Sequence, residues 1–358
     1  MNITPYTNDA VALLQKLISI PRTSRDETKA ADLLEQQLHN WGIACKRDGN
    51  NIWCICSDYQ PEQETILLNA HIDTVKPVNS WTRNPFVPSI EGDTIYGLGS
   101  NDCGGGLVSL LMAFRILTDN GRRQTVIDGR KYNLIYLASA EEEVSGQNGI
   151  SSVLPLLPPI SVAIVGEPTS MQPAVAEKGL MVIDMKAQGK SGHAARGEGI
   201  NAIYQMLDDL TWIRNYRFEK VSEFLGPTQM QVTVINAGTQ HNVVPDVCSA
   251  IIDVRTNELY TNEEVFELIR NHVQSEVKAR SFRLHSSCID TSHPLIRKLE
   301  EMGKKPFGSP TLSDQALMPF PSFKLGPGDS CRSHSADEFI KIKEIQDAIE
   351  TYLNLLRA

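Results

Sequence analysis

The sequence lacks the segments that would place the chain in a membrane or direct its export. No apolar run is long enough to span a bilayer, and the opening residues MNITPYTNDAVALLQKL contain no basic region followed by an apolar one. Cysteines are also few: there are seven, an odd number, and none forms a Cys-X-X-Cys pair. We therefore expect a cytoplasmic protein with reduced thiols rather than a disulfide framework.

Positive charge is in deficit. The chain has 34 Lys and Arg residues against 43 Asp and Glu residues, so its net charge is −9. Such a chain is poorly suited to nucleic acid or to an anionic membrane surface, and neither is expected as a partner. With 41% hydrophobic and 22% charged residues the composition is that of a globular protein, and 358 residues favour two domains over one.

Two successive patterns predict the fold. Strand-like runs alternate with helical ones up to residue 177, which predicts an α/β layer with helices on both faces of a sheet. Residues 178–286 instead follow the order β-α-β-β-α-β of a ferredoxin-like unit, with its second helix predicted over 262–278 and its last strand over 281–285. The predicted architecture is an α/β domain, residues 1–177 and 287–358, interrupted by an inserted domain at 178–286.

Four segments place acids or a histidine directly after an apolar, strand-like run. They are NAHID (69–73), YGLGSNDCGGG (96–106), YLASAEEEVSG (136–146) and VAIVGEPTS (162–170). Functional groups in open α/β sheets gather outside the carboxyl ends of the strands, so these side chains are expected to converge. Carboxylates held close together cannot all stay ionised without a cation, which predicts a site for one or two divalent metals.

Each segment also fits a plainer structural role when taken alone. An aspartate before glycines suits a turn or a helix cap, three glutamates suit a solvated helix start, and Glu167 before a proline suits a turn. His71 and Asp73 are two residues apart, so on a strand they would lie on one face, where the carboxylate would orient the imidazole. The alternative is a hydrogen-bonded pair at a strand end. The metal site is favoured by the four segments occurring together.

These motifs, in this order and spacing, resemble those of the M20 family of metallopeptidases and deacylases. SHSADEFI (333–340) resembles the family's last ligand motif, and SGHAARGEGINAI (191–203) resembles the histidine motif of its inserted domain. The resemblance covers nearly the whole chain. It implies a zinc-peptidase-like catalytic domain with an inserted ferredoxin-like domain that forms a homodimer interface and acts as a lid.

The resemblance also implies two Zn²⁺ ions, with Co²⁺ or another divalent metal as an alternative. The implied ligands are His71, Asp102 and Glu167 for one ion and Asp102, Glu143 and His334 for the other. Asp73 would orient His71, and Glu142 would be the general base. Three consecutive glutamates leave the register open; Glu142 as base is favoured because VSGQNG then follows the pair as in the family. Cys103 is expected to be a bystander.

Residues of the inserted domain complete the implied site. His193 would reach the partner subunit's site and hold the oxyanion, whereas Arg255 and Asn242 would bind the substrate. Structural alternatives are a solvated loop for His193 and caps of strand ends for the other two.

The expected reaction is hydrolysis of a small N-acyl amino acid by metal-activated water. The resemblance to the acetylornithine deacetylases of the family implies N-acetylornithine as substrate, cleaved to acetate and ornithine in arginine biosynthesis. The alternatives within the family are an N-succinyl amino acid desuccinylase, an N-acylcitrulline deacylase and a dipeptidase. A one-metal aminopeptidase and a non-catalytic binding protein are the remaining alternatives.

Overall fold

The computed structural model describes residues 1–119 and 125–357, to which all statements on its elements refer. The α-helices are α1 (Thr4–Ile18), α2 (Thr28–Asn40), α3 (Gly105–Thr118), α4 (Ile150–Val153), α5 (Ala202–Asn215), α6 (Asn262–His272), α7 (Pro294–Glu301) and α8 (Ile342–Leu356). The β-strands are β1 (Lys46–Asp48), β2 (Asn51–Ile55), β3 (Glu64–His71), β4 (Ser89–Glu91), β5 (Thr94–Tyr96), β6 (Val126–Ile127), β7 (Arg130–Ser139), β8 (Val162–Val165), β9 (Ala174–Glu177), β10 (Met181–Gln188), β11 (Val221–Ser222), β12 (Gly226–Pro227), β13 (Gln229–Ala237), β14 (Val247–Arg255), β15 (Glu276–Ala279), β16 (Ser287–Cys288), β17 (Phe307–Ser309), β18 (Ser322–Lys324) and β19 (Phe339–Lys341). Each of these helices is too short or too polar to cross a membrane.

The chain divides into two compact units. The first comprises residues 1–175, 289–307 and 313–358, and the second comprises residues 176–288 and 308–312.

A mixed sheet runs through the first unit in the order β1-β2-β7-β3-β8-β18-β9. Its central neighbours β7, β3, β8 and β18 are parallel. The sheet is covered on both faces: Leu67 and Ile135 pack with residues of α4, whereas the Tyr136 hydroxyl donates to the Leu107 carbonyl of α3. Strands covered on both faces read as continuous apolar runs, which is why ILL at 66–68 predicts a strand. The predicted α/β layer is confirmed.

Helix α3 is apolar around most of its circumference, as its sequence GGLVSLLMAFRILT indicates. It packs against β3 and β7 on one side and against α1 and α8 on the others. A helix surrounded in this way buries all its faces instead of a single stripe. Its first residues are thereby fixed next to the carboxyl ends of the central strands.

The strand before Asp102 departs from the prediction. β5 does not belong to the central sheet; it forms a separate three-stranded sheet in the order β19-β5-β4. Asp102 lies in the segment Ser100–Gly104, directly before α3. Three of the four segments therefore follow central strands, and the fourth follows a strand of the small sheet. The apolar run at 95–98 gave no means of telling which sheet its strand would join.

The second unit contains the predicted β-α-β-β-α-β order as β10, α5, β13, β14, α6 and β15. The sheet order is β13-β14-β10-β15 with every pair antiparallel, which is the ferredoxin-like arrangement and confirms the predicted fold class. β14 alternates buried and half-buried side chains along its length, so one face of this sheet is covered by the helices.

The end of the second helix of this unit is predicted wrongly. α6 stops at His272 instead of 278, and β15 occupies Glu276–Ala279 instead of 281–285. The backbone N–H groups of Gln274 and Ser275 donate to the Asp209 carboxylate, each at 2.9 Å. This tertiary contact fixes a turn where the local sequence favours helix, and the following EVKA alternates as a strand requires.

Candidate metal centre

The carboxyl ends of the parallel strands bring the first predicted residues together. In the pairing of β3 with β7, His71 lies opposite Ser139. The glutamates at 141–143 follow β7, and Glu167 follows β8 after one glycine. The Nε2 atom of the buried His71 lies 3.5 Å from Oε1 of Glu167 and 3.9 Å from Oε2 of Glu142. The predicted convergence at this edge of the sheet is therefore present.

Asp73 connects two of these segments. Nδ1 of His71 lies 3.0 Å from the Asp73 carbonyl oxygen and 3.4 Å from its Oδ1. β3 ends at His71, so the shared strand face invoked for this pair does not exist, and the contact is made by the chain beyond the strand. The Asp73 carboxylate also accepts the backbone N–H groups of Glu142 and Glu143 at 3.1 and 3.2 Å. One buried acid thus positions both an imidazole and the glutamate turn.

Asp102 occupies the middle of the cluster. Its Oδ1 lies 3.2 Å from Nε2 of His71, and its Oδ2 lies 3.6 Å from Nε2 of His334. The segment before α3 is held by Glu338, whose carboxylate accepts the backbone N–H groups of Gly99, Asn101 and Asp102 at 2.9, 2.8 and 2.8 Å. The two oxygens of Asp102 therefore face two different imidazoles.

The two candidate glutamates point to different neighbours. Oε2 of Glu143 lies 3.0 Å from Nε2 of His334, whereas the carboxylate of Glu142 faces His71. Positive φ angles at Glu141 (53°) and Ser145 (45°) bracket the turn that carries them. His334 also adopts a positive φ, 57°, in the left-handed region that non-glycine residues seldom occupy. Such backbone conformations occur frequently at functional sites.

Potential donor atoms form three groups in this region, with all atoms of a group within 4.8 Å of one another. The groups are His71 with Cys103 and Glu167, His71 with Glu142 and Glu143, and Asp102 with Glu143 and His334. The Sγ atom of Cys103 donates to the Gly166 carbonyl at 3.4 Å, and burial raises the pKa of this thiol well above its ordinary value. All five predicted metal ligands and the predicted base are therefore adjacent.

Several side chains of the cluster have raised pKa values, because buried carboxyl groups lie close together. Burial, followed by repulsion from Asp102, raises the pKa of Glu167 to about 8. Burial, with repulsion from Glu167 and Asp314, raises the pKa of Glu142 well above its ordinary value. The hydrogen bond to Glu143 raises the pKa of His334 to about 9. Without compensating positive charge, protons must neutralise part of the cluster.

This donor set fits divalent cations. Carboxylate oxygens and imidazole nitrogens are ordinary ligands of Zn²⁺ and related metals. Bound cations would remove the repulsion that raises the pKa of the buried glutamates. The exposed fraction of the His71 side chain is 1% and that of Glu167 is 12%, whereas that of His334 is 56%, so the cluster opens to solvent at the His334 side.

Of the three predicted residues of the second unit, His193 and Asn242 lie in neighbouring loops, and Arg255 lies apart from both. His193 is exposed after β10, and the Ala194 N–H donates to the Asn242 carbonyl at 3.1 Å, so these two segments are neighbours. Arg255 ends β14 and donates twice to the Asp253 carboxylate, at 2.7 and 3.1 Å. Asn242 precedes β14, so it and Arg255 lie at opposite ends of this strand.

Sequence reasoning missed two buried groups beside the cluster. Glu338 lies in the SHSADEFI segment but carries no role there, and Arg22 donates to the Gly99 carbonyl at 3.0 Å and to that of Ile72. Glu338 binds backbone atoms of the segment that carries Asp102, and Arg22 binds backbone atoms of that segment and of the segment that carries His71. Spacing gave a partial signal for Glu338, four residues after His334. It gave none for Arg22, which lies between two helices.

Relatives of similar length share the sequence at a low level. Succinyl-diaminopimelate desuccinylase 2 of Ruegeria sp. (strain TM1040) is 24% identical, over 98% of this chain and 94% of the relative. Succinyl-diaminopimelate desuccinylase of Ehrlichia ruminantium (strain Gardel) is 26% identical, over 98% of this chain and 97% of the relative.

Solved structures share the fold. Aminopeptidase PepT from Bacillus cereus has a TM-score of 0.75 at 17% identity and covers 98% of each chain. The Bacillus subtilis YXEP protein, described as a dinuclear metal binding peptidase from the M20 family, has a TM-score of 0.73 at 16% identity with the same coverage. The family model of peptidase family M20/M25/M40 matches residues 67–358. This chain therefore belongs to peptidase family M20/M25/M40 and is a metal-dependent amidohydrolase.

Proposed function

We propose that this enzyme hydrolyses the amide bond of an N-succinyl amino acid, with N-succinyl-diaminopimelate as the first candidate substrate. The observation that carries the reaction type is the convergence of two imidazoles and four carboxylates outside the strand ends. The acyl group is inferred from the relatives, two of which bear the name succinyl-diaminopimelate desuccinylase. They favour the N-succinyl alternative over the N-acetylornithine expected from the sequence.

In this proposal the cluster binds two divalent ions that share Asp102. The proposed ligands are His71 and Glu167 on one side of Asp102, and Glu143 and His334 on the other. Zn²⁺ or Co²⁺ bound here would lower the pKa of a water molecule and polarise the scissile carbonyl. The neighbouring distances of 3.0–3.6 Å between donor atoms support this division.

Glu142 is the proposed general base. Its carboxylate faces His71 and does not belong to the donor group of Asp102, Glu143 and His334. It is therefore available to accept a proton from the water molecule that attacks the substrate. It would accept a proton as the water oxygen adds to the carbonyl carbon. It would then deliver that proton to the amine nitrogen as the C–N bond breaks, giving a carboxylate and an amine. Asp73 would hold both His71 and the glutamate turn in place during this transfer.

The predicted substrate-binding residues support a homodimer through the inserted domain, proposed at residues 178–286. The nine residues of β14 span about 26 Å, so the segments carrying His193 and Asn242 are far from Arg255 of the same chain. One small substrate can meet both ends only if two copies contribute. We propose that Arg255 binds a substrate carboxylate and that His193 and Asn242 of a second copy complete the site.

An edge of the second unit offers a surface for such a dimer. Within the described residues β13 pairs only with β14, so its other side presents unpaired backbone groups. Val234 and Ile235 on this strand are 41% and 52% exposed, and Tyr204 and Leu207 on α5 are 67% and 51% exposed. Exposed apolar patches next to a free strand edge are typical of association surfaces.

A substrate panel tests the proposal. The Zn²⁺-loaded enzyme is assayed with N-succinyl-diaminopimelate, N-succinylornithine, N-acetylornithine, N-acetylcitrulline and several dipeptides, with Glu142→Ala as the blank. We expect the highest kcat/KM for an N-succinyl substrate. A preference for N-acetylornithine would restore the sequence-based expectation, and exclusive cleavage of peptides would replace the deacylase proposal with a peptidase.

A further inference from the structure

The connection between α2 and β1 carries a second group of metal-binding side chains. Glu35 and His39 lie one turn apart near the end of α2, and Cys45 follows the turn after the helix. One donor atom from each lies within 4.8 Å of the other two. We propose that Glu35, His39 and Cys45 bind a thiophilic divalent cation of the Zn²⁺ class, independently of the catalytic centre.

The distances suit tetrahedral coordination. Sγ of Cys45 lies 3.7 Å from Nε2 of His39. Two ligands at the usual Zn–S and Zn–N bond lengths of about 2.3 and 2.0–2.1 Å, separated by a tetrahedral angle, lie about 3.6 Å apart. Residues four apart on a helix face the same side, so Glu35 and His39 approach a common point. Three protein donors leave one tetrahedral position for water.

The scaffold that presents the donors is anchored on both sides. Leu34 and Leu38 of α2 are fully buried, which fixes the helix face that carries Glu35 and His39 relative to the core. β1 pairs with β2 immediately after Cys45, with Lys46 opposite Trp53. Gly42 makes the turn between them with a φ of 69°. Metal binding therefore requires only side-chain adjustment, and the backbones of α2 and β1 stay in place.

The local charges permit a cation. The Arg47 guanidinium contacts Oδ1 of Asp32 at 2.7 Å and Oε2 of Glu35 at 2.9 Å. Asp32 alone can balance Arg47, and a carboxylate has two oxygens, so Glu35 can serve the metal without leaving the arginine unpaired. On binding, the Cys45 thiol releases its proton to solvent and becomes the thiolate ligand. Thiolate and carboxylate together then balance the charge of a divalent ion.

Exchange of the bound Zn²⁺ for Co²⁺, by removing the metal with a chelator and titrating the enzyme with Co²⁺, tests this site. A Co²⁺ ion bound by a thiolate gives a sulfur-to-metal charge-transfer band in the near ultraviolet, which carboxylate and imidazole ligands do not give. We expect the band to saturate at the intensity of one thiolate-bound Co²⁺ per chain, in addition to the Co²⁺ held by the catalytic centre. Cys45→Ser should abolish it, and His39→Asn should weaken Co²⁺ binding by about tenfold or more. Both variants should keep wild-type hydrolysis, because neither residue belongs to the catalytic centre.

Two cysteine variants control the titration. Cys331→Ser removes an exposed thiol that belongs to no donor group among the described residues, and it should leave the band unchanged. Cys103→Ser removes the thiol beside the catalytic cluster. A band that survives Cys45→Ser but disappears with Cys103→Ser would overturn the proposal. So would an unchanged Co²⁺ affinity in His39→Asn, or no band at all, which would make the Cys45–His39 contact a hydrogen bond only.

Discussion

Two adjacent glutamates, Glu142 and Glu143, show how neighbouring residues can take separate roles. Side chains of consecutive residues diverge, and here one carboxylate faces His71 while the other contacts His334 at 3.0 Å. Because the sequence has three consecutive glutamates, it does not decide which of them is the general base and which is the metal ligand. The geometry supports Glu142 as base and Glu143 as ligand, and the two assignments predict different losses on substitution.

Glu142→Gln should therefore lower kcat by about 10²–10⁴-fold while the protein keeps its metal, because a neutral amide cannot transfer the proton. Steady-state kinetics together with metal analysis of the dialysed protein measures both quantities. Glu143→Gln is the matched variant and should lose metal instead. The reverse pattern, with metal lost from the Glu142→Gln variant and kept by the Glu143→Gln variant, would exchange the two roles.

Glu338 acts on the cluster through the backbone. Its two oxygens accept three N–H groups from the segment that carries Asp102. A glutamine has one acceptor oxygen, so Glu338→Gln should release part of this segment and raise the Kd for metal by about tenfold. Metal titration of the apoprotein measures the change.

The exposed Glu350 on α8 provides the control for this substitution. Glu350→Gln should leave metal affinity unchanged, because its carboxylate accepts a hydrogen bond from Gln346 on the exposed face of the same helix. Equal metal affinity in Glu338→Gln and in the wild-type protein would show that Glu338 has no positioning role. Partial recovery in Glu338→Asp, which restores a charged carboxylate with two acceptor oxygens, would show that the carboxylate itself holds the segment.

Elements differ in how far the sequence predicts them. The central strands follow from apolar runs, and α2 and α6 follow from their amphipathic faces, because local periodicity suffices for both. Tertiary contacts decide the rest: β5 joins a separate sheet, and α6 ends early at the turn that Asp209 holds. The same distinction applies to the site. Ligands in ordered motifs were predictable, whereas Glu338 and Arg22, which bind backbone atoms of distant segments, were not.

The Asp209 contact gives a prediction at this scale. Asp209 is buried on α5 and accepts the N–H groups of Gln274 and Ser275, so Asp209→Ala leaves two backbone donors without their acceptor. We expect the free energy of unfolding, measured by urea denaturation, to fall. The decrease should be at most about 1–3 kcal/mol for each backbone donor that loses its acceptor. Asp208→Ala, at the exposed neighbouring position, should change it by less than about 0.5 kcal/mol. Equal effects of the two substitutions would contradict the role given to this contact.

At the scale of the whole molecule, the buried carboxyl groups of the metal centre make the stability of the folded state depend on pH and on bound metal. The pKa of Glu167 rises to about 8 in the folded apoprotein, above its ordinary value near 4.5. The folded state therefore holds a proton that the unfolded state releases, so this contribution to stability is present below about pH 4.5 and is lost as the pH rises to about 8. Bound cations replace that proton.

The Tm gained on adding Zn²⁺ to chelator-treated protein should therefore be larger at pH 8 than at pH 5.5, as measured by calorimetry. Glu167→Gln, which carries no charge at either pH, should make the apoprotein less sensitive to pH over this range. An apoprotein whose stability rises between pH 5.5 and pH 8, in the wild type but not in Glu167→Gln, would reverse the sign derived for this group.

The proposed homodimer can be tested by substitution of His193, which belongs to the inserted domain. If His193 serves the site of a second copy, then Glu142→Ala and His193→Ala chains, each inactive alone, should form mixed dimers in which one site is complete. Random pairing makes half of the dimers mixed, and one of the two sites in each mixed dimer is complete. Co-expression should therefore restore about a quarter of wild-type activity. Co-expression of Glu142→Ala with a chain carrying both substitutions should restore none, because no chain then supplies the base. A mixture of the two single variants that stays inactive although mixed dimers are present would place His193 outside the partner's site, and the requirement for two copies would then rest on Asn242 and Arg255 alone.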